Sequence, residues 1–361
     1  MNLSRSPHII TIDETDQTET RIELFLWNTG SQPASPQYTL SKKIPSSNNA
    51  ATYYNISPYT EEYYRFTTFQ NIYNVYDQAI STNFVVQYVV EKYKTIGGVE
   101  SSAGTESGEF MNGYGYYMEG QNPLNFTTVG LDEGEYFYNF ETGADTSLPQ
   151  YMAGTLDAFL SDSNFFIRYT NSRTGVVTDI PFSTTGVRVF PRVHHTNLAD
   201  GNKTQLMRGS SVRWTATFKP QCEPKYQPVV IDFINKYGSW ARIFFQKAKT
   251  RNITVKSDSY KANPSSLPYS PTAEGQVRNI NTTGQETIKL NTGFVNDGYG
   301  EYLQQLLLSE KINLLDSETS SQYQPVTVQT KSLKKQTGIN DGTINYELTF
   351  DFAFDIINNV I

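Results

Sequence analysis

The chain has 361 residues, 18% of them charged and 14% aromatic, with 25 Tyr and 21 Phe. A formal charge of −7 excludes the broad cationic face that phosphate neutralisation demands, so no nucleic-acid partner is expected. The single cysteine, Cys222, excludes an internal disulfide, and no run of about 18 apolar residues is present to span a membrane as a helix.

Stiff aromatic side chains suit half-buried pleated surfaces, and the remainder is rich in Ser, Thr, Asn and Gln. The expected fold is mainly β and multidomain: an immunoglobulin- or fibronectin-like sandwich, then sandwich- or barrel-like β domains. Residues 1–70 are expected to form the first domain. The start, "MNLSRSPHIITIDE", has no apolar core of signal-peptide length, so residence in a cytoplasm is expected. "HIITIDE" reads as a strand, and "TRIELFLWN" alternates, with Ile22, Leu24 and Leu26 on one face. "SQPASPQ" breaks that run, "YTLSKKI" resumes it, and "TYYNISPYTEEYYRFT" completes the unit.

Residues 71–215 are expected to form a β-rich middle region with long loops. "TNFVVQYVVEKYKT" is a strand whose Gly97-Gly98 exit fits a turn. The following "VESSAGTESGEFMNGYGYYMEGQNPLN" is polar, Gly-rich and Tyr-rich, and its glycine spacing matches no dinucleotide fingerprint. It is read as a surface loop that projects from Ser101 to Asn125 and is ordered by a neighbour, with Tyr114, Tyr116 and Tyr117 as the candidate interface. "NFFIRYTNSRTGVVTDIPF" predicts a hairpin turning at Ser172-Arg173-Thr174-Gly175.

Residues 216–361 are expected to form a C-terminal β domain. "VVIDFINKYGSWARIFFQKAKT" turns at Gly238 and is read as scaffold, with Trp240 in the same core as the last strand. "GEYLQQLLLSEKINLL" places Leu303, Leu306 and Leu307 at i, i+3 and i+4, predicting a short amphipathic helix near 301–313. In "INYELTFDFAFD", Ile344, Tyr346, Leu348, Phe350, Phe352 and Phe354 share one face of a long final strand.

The search for chemistry finds no catalytic, cofactor or metal constellation. His194 and His195 are adjacent, and on a strand they would point to opposite faces, poorly placed to share a metal. "DEGEYFYNFE" offers Asp132, Glu133, Glu135 and Glu141 beside aromatic rings, with an acidic loop packed by tyrosines as the plainer reading. "KAKTR" and "KSLKK" are read as solvated strand faces. Cys222 has no evident activating base and is read as an ordinary small side chain.

The block order "WTATFKPQCEPKYQPVVIDFINKYGSWARIFFQKAKT", "GQETIKLNTGFV", "YLQQLLLSEKI", "PVTVQTKSLKKQT" and "INYELTFDFAFDIINNVI" resembles structural proteins of tailed bacteriophages infecting Bacteroidetes hosts. The N-terminal "IELFLWN…YTLSKKI…YYNISPYTEEYY" fits the same group, so the likeness covers about residues 1–70 and 212–361. The resemblance implies a non-enzymatic virion component of the tail, baseplate or neck, made in the host cytoplasm. Its implied partners are other virion proteins and copies of itself in a ring or sleeve. The alternatives are a host-glycan receptor or capsid decoration protein using the tyrosine loop, and a polysaccharide-degrading tail enzyme.

Overall fold

The structure, a computed structural model, describes residues 1–45, 51–65, 78–79, 84–119, 128–139, 155–160, 164–182, 185–221, 226–263, 268, 275–296, 298–316, 322–334 and 344–357. The chain forms two units, one of residues 1–223 with 232–243 and one of residues 224–231 with 244–361. Both are mainly β, in several open sheets, and among the described residues no sheet closes into a barrel.

The first unit opens with β1 (Asn2–Leu3), β2 (Ile9–Ile12), β3 (Gln17–Trp27) and β4 (Tyr38–Lys43). It continues with β5 (Thr52–Asn55), β6 (Gln78–Ala79), β7 (Val85–Ile96) and β8 (Val99–Met111). A five-stranded sheet has the order β1-β8-β7-β3-β4, and the separate β2–β5 pair supplies the second layer. The alternation of β3 holds: Ile22, Leu24 and Leu26 are buried with Ile10, Ile12 and Tyr54 of the small sheet and Val86, Tyr88, Val90 and Phe110 of β7 and β8. Because β3 pairs with β7 along its length, this sandwich does not end near residue 70 but runs on to Met111.

The loop expected from Ser101 is in fact largely strand. Gly97 and Gly98, at φ 58° and 80°, adopt the left-handed backbone of a two-residue hairpin turn. That turn sets β8 antiparallel to β7 from the Ile96–Val99 pair to the Val85–Met111 pair. Gly108 lies opposite Tyr88, and a Cβ there would fall 2.9 Å from the tyrosine ring. Main-chain hydrogen bonds and one ring laid over a glycine hold most of this strand, and only its end, Phe110 and Met111, enters the core.

The rest of the first unit contains β9 (Thr128–Val129), β10 (Gly134–Asn139), β11 (Thr155–Leu160) and β12 (Phe165–Asn171). After them come β13 (Val177–Pro181), β14 (Gly186–Pro191), β15 (Asn202–Arg208) and β16 (Ser211–Gln221). They form two sheets of order β10-β16-β15-β12-β13 and β6-β14-β11-β9. The β12–β13 hairpin turns where expected: the Asn171 side chain accepts from the backbone of Arg173 and Thr174, and Gly175 takes φ 71°. The boundary expected at 215 falls inside β16, and the two units first divide between residues 223 and 224.

Two strands contain the points where the chain crosses between units, β17 (Val229–Ile234) and β18 (Trp240–Phe245), and every residue in both is buried. The second unit goes on with β19 (Thr250–Lys261), β20 (Val277–Val295), α1 (Tyr299–Leu307), β21 (Ile312–Asp316), β22 (Gln324–Val328) and β23 (Ile344–Phe352). In β23 the alternating residues from Ile344 to Phe352 are buried as expected. Phe354 is not among them, since the strand ends at Phe352 and Phe354 is 73% exposed. The helix starts earlier and is shorter than the span near 301–313, because Ile312–Asp316 pairs with β22 as a strand. Trp240 belongs to a cluster with Phe84 and Ile234 in the first unit, not to a core shared with β23 as expected.

Candidate functional site

Two backbone segments of the first unit meet closely at the β17–β18 turn. Asn235 organises it: its side-chain oxygen accepts from the backbone of Tyr237 and Ser239, and Gly238 takes φ 83°. The segment after β8 lies directly on this turn. A Cβ at Gly113 would sit 2.3 Å from the Lys236 carbonyl, and one at Gly238 would sit 2.8 Å from the Asn112 nitrogen. Both positions therefore need glycine, and Tyr114 N donates to Lys236 O at 2.7 Å.

An ionic and aromatic cluster is assembled on this contact. The Lys236 ammonium stands 3.4 Å from Asp132 and 3.5 Å from Glu119. It also lies 5.2 Å and 5.0 Å from the ring centres of Tyr116 and Tyr237. The Tyr237 hydroxyl donates to Asp132 Oδ1 at 2.6 Å. Burial first, and then the Asp132 carboxylate, push the Tyr237 phenol above its ordinary range, while burial does the same to Tyr114. Both phenols stay protonated at neutral pH, and Tyr237 serves as a donor, not a base.

The loop from Gly130 to Asp132 is stitched to the same turn and to β16. Asn235 Nδ2 donates to the Gly130 carbonyl, Trp214 Nε1 donates to the Leu131 carbonyl at 2.8 Å, and Tyr136 OH donates to the Asp132 carbonyl at 2.8 Å. Beside it opens a cleft of about 340 Å³. Val129, Leu131 and Leu206 give it an apolar lining, Trp214 and Tyr237 aromatic walls, and Asp132, Glu133 and Arg213 its polar groups.

The structure separates the three tyrosines expected to act together. Tyr114 is only 9% exposed, packed 5.9 Å from Tyr116 and under the Arg5 guanidinium, because the Gly113 contact draws it inward. Tyr116 is half-buried, and Tyr117 alone of the three is fully open at 93% exposure. The far end of the expected loop, residues 120–125, lies outside the described residues, as do Cys222 and Glu141. Glu133 accepts from Thr215 N and Glu135 pairs with Lys219. In "KAKTR", Lys249 and Arg251 bind the buried Asp316 carboxylate, and Arg251 also binds Glu286.

His194 and His195 are not on a strand. They begin a 3-10 turn, and their rings lie 4.4 Å apart instead of facing opposite ways. His194 Nδ1 is engaged with Thr196, and among the described residues no three His, Cys, Asp or Glu side chains gather around a possible metal position. Burial, then repulsion from His195, lowers the His194 pKa to about 4. The unfolded chain therefore takes up this proton first as pH falls, so stability is complete above the free-histidine value and is lost between about 6.5 and 4. The expected loss is on the order of 1–3 kcal/mol. His194→Asn keeps a capping acceptor, and urea titrations at several pH values should show that it removes this part of the acid sensitivity.

Sequence reasoning missed Lys236 and Tyr237 as partners of Asp132, and Arg213 and Trp214 as lining of the same cleft. The only local signal was the Tyr-Gly-Ser-Trp turn, which marks a hairpin tip but not what the tip meets. Among the described residues no helix is long and apolar enough to cross a membrane. No family model matches the chain, and no curated protein or solved structure matches it either.

Proposed function

We propose that the protein is a structural component of a tailed-bacteriophage virion, in the tail, baseplate or neck, that works by assembling with copies of itself and other virion proteins into a ring or sleeve. The observation that carries this reading is the ribbon formed by β19 and β20. β23 covers β20 only from Thr287 onward, and Ile356 N donates to the Gly284 carbonyl, so Val277–Thr282 is the part that pairs with β19 alone. Six residues of strand reach roughly 20 Å. In β19 all residues but Arg251 are exposed, as are Val277–Thr282 of β20, including Ile253 and Val255 at 62%, Val277 at 60% and Ile280 at 48%. A long ribbon with a bare edge and outward apolar side chains invites pairing with another chain.

Charge distribution favours a head-to-tail arrangement. The first unit holds 17 Lys and Arg against 24 Asp and Glu, whereas the second holds 12 of each. Repulsion opposes contact between two first units, while the neutral second unit of one copy meets no such barrier on the acidic unit of the next. Repeated head-to-tail contacts close into rings or continue as sleeves. The receptor reading draws its support from the aromatic cleft beside Tyr237.

The test joins composition and assembly. Mass spectrometry of purified particles should find the protein, and its absence from them would end the virion reading. The double variant Ile253→Lys, Val255→Lys should lower incorporation by about tenfold or more, as loss of an interface anchor does. Its circular dichroism should match the parent's. Undiminished incorporation would show that the ribbon is not the contact.

A further inference from the structure

We infer that the cleft between the Gly130–Glu133 loop, β16 and the β17–β18 turn is a binding site for a neutral or amino-bearing sugar. The inference is independent of the assembly reading, since every lining residue belongs to the first unit and none to the ribbon.

Size comes first. A volume of about 340 Å³ sits at the lower end of the range for small-ligand sites, roughly 300–1,000 Å³. It suits one or two rings, not a long chain held along its length. The wall chemistry comes next. A sugar offers hydroxyls at its rim and a C–H face, and it is recognised by planar acceptors and donors around an aromatic surface. Asp132 and Glu133 supply carboxylates, Arg213 supplies a fork of donors, and Trp214 and Tyr237 supply rings over an apolar lining.

These groups are also held in place before any ligand arrives. The indole N–H of Trp214 is spent on Leu131 O, which fixes a ring that is 6% exposed, so the half-buried Tyr237 is the more open aromatic wall. Asp132 is oriented by Tyr237 and Lys236, and Glu133 by the backbone of Thr215. Such prior ordering lowers the entropy cost of binding a small, well-hydrated molecule. The lining carries two carboxylates and one guanidinium, so acidic sugars are disfavoured and neutral or amino sugars favoured.

The experiment is a titration of the full chain, followed by protein-observed NMR, with the methyl glycosides of glucose and galactose, N-acetylglucosamine, glucosamine and glucuronate. At least one neutral or amino sugar is expected to bind with Kd of about 0.1–10 mM. Arg213 and Glu133 are exposed, so Arg213→Ala and Glu133→Gln should leave the fold intact. Each should weaken binding about tenfold, the scale of one lost charged hydrogen bond. No binding by any neutral or amino sugar would overturn the site, as would binding unaffected in both variants. Tightest binding by glucuronate would overturn the stated ligand class. None of these results bears on whether the protein is in the particle.

Discussion

Replacing Asp232 with Ala is expected to destabilise the first unit by about 3–5 kcal/mol, the range for breaking a buried ion pair from one side. Asp232 is wholly inaccessible in the middle of β17, where "VVIDFI" is otherwise apolar. Its two oxygens accept from Arg242 Nε and Nη2, both at 2.7 Å, and Arg242 is itself 2% exposed. Removing the carboxylate leaves a guanidinium that can neither shed its proton nor reach water. The main-chain carbonyl of Arg242 accepts from the buried Arg192 at 3.1 Å, a bond that this substitution leaves in place. All three tryptophans lie in the first unit, so their fluorescence in a urea titration reads this change directly. The double variant Asp232→Leu, Arg242→Met should recover most of the loss, because it removes both charges and keeps the volume. A cost under about 1 kcal/mol for Asp232→Ala would show that Arg242 finds water or another anion.

Phe350→Ala should cost about 3–5 kcal/mol in the second unit, as expected for emptying a buried aromatic position. Phe350 is fully buried on β23, between Ile288 of β20 and Val328 of β22, with its ring edge-on to Phe245 at 6.0 Å. No tryptophan reports on this unit, so amide exchange along β20 and β23 is the measurement. Phe354→Ala is the control: at 73% exposure it should change stability by no more than about 0.5 kcal/mol. Equal effects of the two substitutions would mean that the inward face of β23 is not the core of its sheet.

The strands that were legible from the sequence are those in which side-chain pattern and burial agree. β23 alternates strictly, β3 places Ile22, Leu24 and Leu26 on one buried face, and period-2 burial needs no knowledge of the partner. Hairpin turns were equally legible at Gly97-Gly98 and at Ser172–Gly175, because left-handed backbone and side-chain-to-backbone hydrogen bonds are local chemistry. β8 was not legible. From Val99 to Glu109 it is held by a main-chain ladder to β7 and by Tyr88 lying over Gly108, neither of which leaves an apolar signature. Only Phe110 and Met111 at its end are buried in the core.

The candidate site shows the same division more sharply. The sequence by itself determined that the chain is mainly β, that it has no internal disulfide, and that Asp132 and Glu133 stand in an acidic, aromatic-rich stretch. It also marked Gly238 as a turn. Only the tertiary structure decided that Gly113 lies against that turn, that Tyr114 is buried by the contact, and that Lys236 and Tyr237 meet Asp132. It alone decided that Arg213 and Trp214 complete a cleft there, and that His194 and His195 stack on a turn. The reason is physical: strand periodicity and turn chemistry are set by neighbours along the chain. Which carboxylate meets which ring is set instead by backbones that approach at two glycines far apart in sequence, where the signal is the absence of a side chain.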